Sequence, residues 1–222
     1  MIFLKLGEKE HLEELRHGLL YMKSLSYFRS LEDDSTRNDD REGDDYILQP
    51  KHANLVIETI PGLGRISAAP GDLAGPVRIA RNQTQSCNLF CMFAITRPVE
   101  RPMFGTSHRW PGDSFVLFTH TQEFLSRIAS AAQQGGLGIE CGLVEYYDES
   151  THSGQLGRFR KRARFSYQSE YRIALEPGSD EAIRFQVADL ADITSEVSPL
   201  DRADDVLKFG AKDLEADGIC WD

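Results

Sequence analysis

The sequence predicts one α+β domain, in which mixed, mostly antiparallel sheets combine with a few helices. Three observations lead to this prediction. Segments typical of strands outnumber segments typical of helices. The length of 222 residues suits one large domain with a substantial core. No internal repeat or low-complexity linker divides the chain, so we expect a single domain over residues 1–222.

Residues 1–31 predict a strand, a helix, a second strand and an aromatic turn. Leu12 and Leu15 lie on one side of the predicted helix, whose other positions are mostly charged. Gly18 follows the basic pair Arg16-His17 and is a natural helix end. These elements cover residues 2–6, 8–17, 19–21 and 26–29.

Residues 32–45, EDDSTRNDDREGDD, form a polar segment in which ten of fourteen residues are charged. Self-repulsion and the absence of apolar anchors predict a mobile, solvated loop. Its carboxylates could offer oxygen ligands to Ca²⁺ or Mg²⁺, but their spacing does not match an EF-hand and Arg37 and Arg41 oppose a cation. We therefore expect no metal.

The middle of the chain carries the clearest patterns. Residues 87–95, CNLFCMFAI, are nearly all apolar, which predicts a central strand buried on both faces. Residues 121–134 predict a helix with an apolar stripe, Thr121 as N-cap and a Gly135-Gly136 end. Further strands are predicted at 54–60, 77–80, 114–119, 139–147, 171–175 and 183–187.

The chain ends in an acidic segment, 176–222. Residues 188–197 could be helix or strand. The remaining tail has few residues that could pack against the domain, namely Val206, Leu207, Phe209, Leu214 and Trp221.

The formal net charge of −10 disfavours a protein coated with nucleic acid, because phosphate binding needs a cationic surface. A local basic run is the exception and could hold a nucleic acid or an acidic protein. No signal peptide or membrane span is visible, and four separate cysteines favour reduced thiols, so we expect a cytoplasmic protein with no membrane partner. The run consists of Arg158, Arg160, Lys161, Arg162 and Arg164.

Gln168 and Glu170 are the candidate catalytic pair. They lie at the entry of a predicted strand, where residues two apart point the same way, so they would face one cavity. The carboxylate could hold a ribose hydroxyl and stabilise an oxocarbenium-like centre, while the amide orients the incoming nucleophile. The alternative is that Glu170 forms a surface ion pair with Arg172 or with the basic run.

The aromatic turn supplies a candidate binding surface. Tyr27 and Phe28 offer faces for stacking, and Arg29 could contact a phosphate with two hydrogen bonds. The alternative is that the two rings belong to the core and that Arg29 forms a salt bridge.

Three segments resemble a bacterial domain family of uncharacterised function. The segment "GLLYMKSLSYFRSLED…RNDDREG" resembles its aromatic turn and acidic "D-x-x-E-G" loop. The segment "LFCMFAI" resembles its central "CFS" strand, with Cys91-Met92-Phe93 and no Ser here. The segment "FRKRARFSYQSEYRIAL" resembles its closing "K-x-x-x-F/W-x-x-E-x-E-Y/W-R" strand. The resemblance spans residues 1–175.

That family is linked to the ADP-ribosyltransferase-like fold, which implies a split-sheet core and NAD as a substrate. The resemblance implies Glu170 as the catalytic carboxylate and Gln168 as the residue two before it. Lys5 or Arg29 would fill the basic position, and Ser24 or Ser26 the hydroxyl position. NAD phosphates would lie near Arg29 and the nicotinamide on Tyr27 or Phe28.

The resulting hypothesis is an ADP-ribosyltransferase-like enzyme that modifies a nucleic acid or protein acceptor. Relatives among bacterial toxins and phage-defence proteins imply a toxin or defence effector, with a cognate inhibitor protein as a further partner. Two alternatives stay open: a non-catalytic binding module that recruits partners through residues 32–45 and 158–164, and a metal-dependent nuclease that uses the acidic loop.

Overall fold

The computed structural model describes residues 1–29, 41–57, 66–80, 86–97, 103–105 and 108–207. These residues form the predicted α+β arrangement of mostly antiparallel sheets and a few helices. The strands are β1 (Ile2–Gly7), β2 (Leu19–Ser24), β3 (Tyr46–Leu48), β4 (Leu55–Ile57), β5 (Ile66–Ala68), β6 (Val77–Ile79), β7 (Asn88–Ile95), β8 (Ser114–Phe118), β9 (Gly138–Leu143), β10 (Glu145–Tyr147), β11 (Gly154–Gln155), β12 (Arg160–Arg162), β13 (Glu170–Glu176), β14 (Ile183–Gln186) and β15 (Ser198–Pro199).

Helices are fewer than strands among these residues. The longest is α3, whose bounds agree with the prediction of a helix over 121–134. The α-helices are α1 (Lys9–Arg16), α2 (Leu25–Arg29), α3 (Thr121–Gln134) and α4 (Ala203–Val206), and 3₁₀ helices span Pro50–His52, Ala163–Gln168, Ala191–Ile193 and Leu200–Arg202.

The central sheet is organised around β7, which is buried almost throughout, as its apolar sequence predicts. The strand order is β14-β2-β7-β1-β8-β15, with β13 and then β9 on the other edge of β7. β1 and β2 pair with the same edge of β7 at separate places. Leu4 of β1 is paired with Phe93, and Lys23 of β2 is paired with Leu89. Along this edge the described part of the sheet therefore divides between β1 and β2.

The two faces of this sheet are covered differently. On one face, Phe90 and Ile173 join a large apolar core with residues of α1 and α3. On the other face, Leu89 and Ala174 form a smaller cluster with Leu25, against which Phe28, Cys91 and Phe159 pack. Residues paired across neighbouring strands point to one face, so the pairing register assigns each side chain to a face.

Two local predictions are wrong. The predicted strand over 139–147 is two strands, because the Val144 amide donates to the Glu170 carbonyl and the chain then leaves β13 to pair with β12 in parallel. Thr121 is the first residue of α3 rather than its N-cap; His120 precedes it and makes no side-chain cap hydrogen bond.

Residues 41–45 form a turn that is held against neighbouring strands. The Asp44 amide donates to the Arg41 carbonyl, and the Asp45 amide donates to the Ile79 carbonyl. The Glu42 side chain is fully buried. This part of the predicted mobile loop is therefore anchored, whereas residues 30–40 lie outside the described residues.

The end of the described chain packs on the central sheet through one residue that the sequence predicted, Leu207, and one that it did not, Ala203. Ala203 and Leu207 are buried in a cluster with Leu4 and Phe115, while Val206 is exposed. The prediction that Leu207 packs is confirmed, and the prediction that Val206 packs is wrong. The predicted contacts of Phe209, Leu214 and Trp221 lie outside the described residues.

None of the helices among the described residues has the length and apolar character that crossing a membrane requires. The longest, α3, has 14 residues, and eight of them are polar or charged.

Gly112 gives a direct test of the packing at the start of the central sheet. Its φ is +76°, and a Cβ atom there would overlap the Gly7 backbone and lie 2.6 Å from the Glu8 nitrogen. We expect Gly112→Ala to lower the free energy of unfolding by about 2–3 kcal/mol, measured by urea denaturation. Gly71→Ala is the control, because Gly71 also has positive φ, +99°, but nothing within 4 Å; it should cost only about 1 kcal/mol. Equal losses of unfolding free energy in the two variants would show that the positive φ of Gly112, and not its close approach to Gly7, causes the effect.

Candidate functional site

Glu170 is the first residue of β13, and its carboxylate is almost entirely buried, with 5% of the residue exposed. Its Oε1 accepts a hydrogen bond from Arg172 Nε at 2.6 Å, and its Oε2 accepts one from Lys161 Nζ at 2.8 Å. Arg172 Nη2 also approaches Oε2 at 3.3 Å. Both oxygens therefore have cationic partners, and the surface ion pair considered from the sequence is in fact a buried one.

Glu42 completes the set of buried charges. Arg172 Nη2 donates to Glu42 Oε1, and Lys161 Nζ lies 3.7 Å from Glu42 Oε2. Arg172 Nη1 donates to the Arg158 carbonyl. Two carboxylates and two cations thus balance each other below the surface. We call Glu42, Lys161, Glu170 and Arg172 the buried charge network.

Glu170, Lys161 and Arg172 are held in their charged forms. Burial disfavours ionisation of Glu170, but the charges of Arg172 and Lys161 outweigh it and hold the pKa of Glu170 well below its usual range. Burial likewise acts to lower the pKa of Lys161, but the charges of Glu170 and Glu42 outweigh it, so this pKa is raised. The pKa of Arg172 is raised well above its usual value by the same two carboxylates against burial.

Gln168 reaches Glu170 by a route that the sequence did not predict. Gln168 ends a 3₁₀ helix and Ser169 has left-handed backbone, φ 39°, so β13 begins only at Glu170 and strand alternation does not relate the pair. The two side chains meet because Lys161 Nζ donates to Gln168 Oε1 at 2.9 Å as well as to Glu170. A shared ammonium group, not a shared strand face, brings the candidate catalytic pair together.

Two further groups contact Glu170. The Tyr146 hydroxyl accepts a hydrogen bond from the Glu170 amide at 3.0 Å, and the Cys91 thiol hydrogen-bonds the Glu170 carboxylate. Burial, followed by the charge of Glu170, raises the pKa of both Tyr146 and Cys91. Both groups are therefore neutral at physiological pH, and Cys91 is a hydrogen-bond donor to Glu170 rather than a thiolate nucleophile.

An aromatic group packs beside Gln168. The rings of His108 and Tyr167 stack in parallel with centroids 3.7 Å apart, and Trp110 meets Tyr167 edge to face at 5.6 Å. The Gln168 amide nitrogen approaches the Tyr167 hydroxyl at 3.4 Å. These rings hold the 3₁₀ helix that carries Gln168 in place next to the network.

The aromatic turn lies on the same face of the sheet as the network. Phe28 packs against the cluster that includes Leu89, and so does Cys91. The Tyr27 ring lies under the Lys23 ammonium, 3.6 Å from the ring centroid. Tyr27 and Phe28 are half-buried, so they are neither fully core nor fully exposed.

Two other predicted binding residues, Ser26 and Arg29, belong to the same short helix, α2. Ser26 is exposed, and its hydroxyl shares a 2.9 Å hydrogen bond with Ser24. Arg29 is the last residue of α2, and its side chain lies outside the described part of the chain.

Lys5 lies on the opposite face of the sheet. It faces Val116, which belongs to the large core, and its ammonium lies 4.4 Å from the centroid of the Phe90 ring in that core. Its Nζ donates to the Cys91 carbonyl at 2.7 Å, at the place between β1 and β2 where no described strand pairs with β7. The sequence grouped Lys5 with Glu170, and the structure places their side chains on different faces.

The basic run does not present one continuous cationic surface. Lys161 is part of the buried charge network, and the Arg164 guanidinium stacks 4.7 Å from the Phe165 ring centroid. The other three members form ion pairs with carboxylates: Arg158 with Glu140 and Glu176, Arg160 with Glu145, and Arg162 with Glu149.

Neither a metal site nor a known relative adds to this description. Among the described residues no group of three or more His, Cys, Asp or Glu side chains is placed to hold a metal ion. Comparison of the chain with protein-family models, with curated proteins and with solved structures found no match. The interpretation of the site therefore depends on its geometry and on the motifs of the sequence.

Proposed function

We propose that this protein is an ADP-ribosyltransferase-like enzyme that uses NAD, with Glu170 as its catalytic carboxylate. The observation that supports the proposal most strongly is the convergence of Glu170 and Gln168 on one buried ammonium, that of Lys161, at 2.8 and 2.9 Å. Both residues belong to the motif that resembles the family's closing strand. Tyr27 and Phe28 lie on the same face of the sheet and would bind the nicotinamide nucleotide.

The energetic cost of the buried charge network supports a functional role. Each ion removed from water costs several kcal/mol, which its partners offset only with good geometry. An apolar set of similar volume would often be as stable or more stable. Perturbed pKa values also cluster at functional sites. Four charged side chains with at most 5% of each residue exposed are therefore better explained by chemistry than by stability alone.

A ribose hydroxyl can bind Glu170 only by replacing a present contact. A carboxylate accepts about four hydrogen bonds, and Glu170 already has four donors: Arg172 Nε, Lys161 Nζ, Arg172 Nη2 and the Cys91 thiol. The last two are the weakest, one because it is long and the other because a thiol is a poor donor. In the proposed mechanism the ribose takes their place.

Once bound, the ribose would develop positive charge as nicotinamide leaves. The ionised Glu170, kept charged by Lys161 and Arg172, would stabilise this charge in a site that excludes water. Gln168 would help to orient the acceptor at the anomeric carbon. Gln168 Oε1 accepts a hydrogen bond from Lys161 Nζ in this structure. To orient the acceptor, the Gln168 amide would have to break this hydrogen bond and form one with the acceptor instead.

The division of the central sheet at β7 is consistent with the split-sheet core of this fold. On the edge that faces β1 and β2, the described strands leave residues 90–92 of β7 without a paired strand, and Lys5 Nζ donates to the Cys91 carbonyl there. A nucleic acid or protein acceptor, and a role as a toxin or defence effector, remain part of the proposal. The paired state of the basic run leaves Arg164 as its most available member for such an acceptor.

A non-catalytic binding module is the second candidate. The observation that favours it is the occupancy of both Glu170 oxygens by Lys161 and Arg172, which is also the pattern of a purely structural ion network. Under this candidate the network orders the fold around the 41–45 turn and no nucleotide replaces its contacts.

A thermal-shift measurement with NAD distinguishes the two candidates. We expect millimolar NAD to raise the melting temperature of the wild-type protein, because a ligand that binds only the folded state stabilises it. Tyr27→Leu should reduce the shift, since it removes a ring without disturbing the buried charges. His52→Leu, at an exposed position in the 3₁₀ helix Pro50–His52, is the control and should keep it. If NAD at about 10 mM, roughly ten times the upper end of typical KM values, does not raise the melting temperature of the wild-type protein, the binding module is favoured.

A further inference from the structure

Lys23 lies on the face of the central sheet that carries Glu170. Lys23 faces Leu89 of β7, and Leu89 faces Ala174 of β13. Residues paired across strands project from one face, and so do residues two apart along a strand. Lys23, Ala174 and Glu170 therefore share a face, whereas Lys5 projects from the other.

Among the described cations near this face, Lys23 differs in having no carboxylate partner. Arg158, Lys161 and Arg172 are each paired with at least one carboxylate. The half-buried Lys23 forms no ion pair with the carboxylates of the described residues, and its ammonium instead lies over the Tyr27 ring at 3.6 Å. Its charge is thus directed to an aromatic surface and is not neutralised there.

A cation over a tyrosine ring is a weak interaction compared with a charge-assisted hydrogen bond to a phosphate. A phosphate that approaches this face would therefore draw the Lys23 ammonium away from the ring. The same movement would uncover the Tyr27 ring for stacking with a planar base, and stacking of this kind tolerates any base. One residue pair could thus bind both the anionic and the aromatic part of a nucleotide.

We infer that Lys23 binds the phosphate groups of a nucleotide and that Tyr27 binds its base. The identity of the ligand as a dinucleotide rests on the proposed function, but the site requires only a base joined to a diphosphate. The inference adds Lys23 to the phosphate role that the sequence assigned to Arg29, and it leaves out Lys5, which lies on the other face of the sheet.

The test is calorimetric titration of ADP into the wild-type protein and into Lys23→Met. Methionine keeps the apolar stem of Lys23, so the variant should fold, and melting curves check this. We expect ADP to bind the variant at least about tenfold more weakly, the loss of one charge-assisted hydrogen bond. Adenosine has no phosphate to draw Lys23 off the Tyr27 ring, so Lys23→Met should not weaken its binding. Lys9→Met, at an exposed position of α1, is the matched control and should keep wild-type affinity.

Equal ADP affinity of Lys23→Met and the wild-type protein would overturn the inference, and so would a wild-type protein that binds no ADP at millimolar concentration. The outcome is separable from that of the proposed function. Loss of ADP affinity in Lys23→Met, together with NAD that stays intact, would support the phosphate site and reject the transferase. Release of nicotinamide with unchanged ADP affinity in Lys23→Met would do the reverse.

Discussion

Arg172→Met is expected to lower the free energy of unfolding by about 3–5 kcal/mol, which is the cost of leaving a buried charge without its partner. The variant would leave Glu42 and Glu170 with Lys161 alone, so the network would carry a net negative charge away from water. The Arg158 carbonyl would also lose its donor. Urea denaturation followed by circular dichroism measures the loss.

Arg160→Met is the control for Arg172→Met. Arg160 belongs to the basic run and, like Arg172, pairs with a glutamate, but its partner Glu145 has 68% of its side chain exposed, so the variant should cost less than about 1 kcal/mol. A second check is the double variant Arg172→Met with Glu170→Gln, which restores neutrality between Lys161 and Glu42. It should lose less stability than the sum of the single variants. Equal, small losses for Arg172→Met and Arg160→Met would contradict the importance of the network.

Glu170→Gln is expected to reduce nicotinamide release from NAD by at least about 100-fold, because it removes the charge that the mechanism assigns to the transition state. Glutamine has nearly the same size and can still accept a hydrogen bond from Arg172, so the change acts mainly on charge. Release is measured by chromatography after incubation with NAD. Glu140→Gln is the control, since Glu140 lies on neighbouring β9 with 58% of its side chain exposed, and it should keep wild-type activity.

Because Glu170→Gln also unbalances the network, its effect on activity needs a folding check. Near-ultraviolet circular dichroism reports whether the variant keeps its tertiary packing. Gln168→Ala provides a second test, because Lys161 still holds Glu170 in that variant. It should lower nicotinamide release with little loss of stability. Activity that survives Glu170→Gln would contradict the catalytic role of Glu170.

The sequence predicts the parts of the fold that local patterns determine. The nearly continuous apolar run at 87–95 becomes β7, and the apolar stripe of residues 121–134 becomes α3. Both patterns report burial directly, because a strand covered on two faces and a helix packed on one have different spacings of apolar residues.

The sequence does not predict the burial of Glu42. Its neighbours are charged and polar, so local composition indicates a solvated loop. What buries it is Arg172, 130 positions further along the chain, together with Lys161. A pairing between such distant residues leaves no local signal. The "D-x-x-E-G" part of the family resemblance was the only feature of the sequence that singled Glu42 out.

The face of Lys5 is also hidden from the sequence. In a strand with one exposed face, alternation of apolar and polar residues shows which side chains point inward. In β1 both faces are covered, since Leu4 and Phe3 belong to different apolar clusters. Alternation therefore could not show that Lys5 projects away from Glu170.

Transferase activity requires Glu170 to act on a nucleotide sugar from within the buried charge network. The most direct test is proton NMR of NAD incubated with the wild-type protein and, in parallel, with Glu170→Gln. We predict that signals of released nicotinamide grow with time for the wild-type protein and not for the variant. NAD that remains intact with well-folded wild-type protein, with or without a nucleic acid or protein acceptor, would contradict the account.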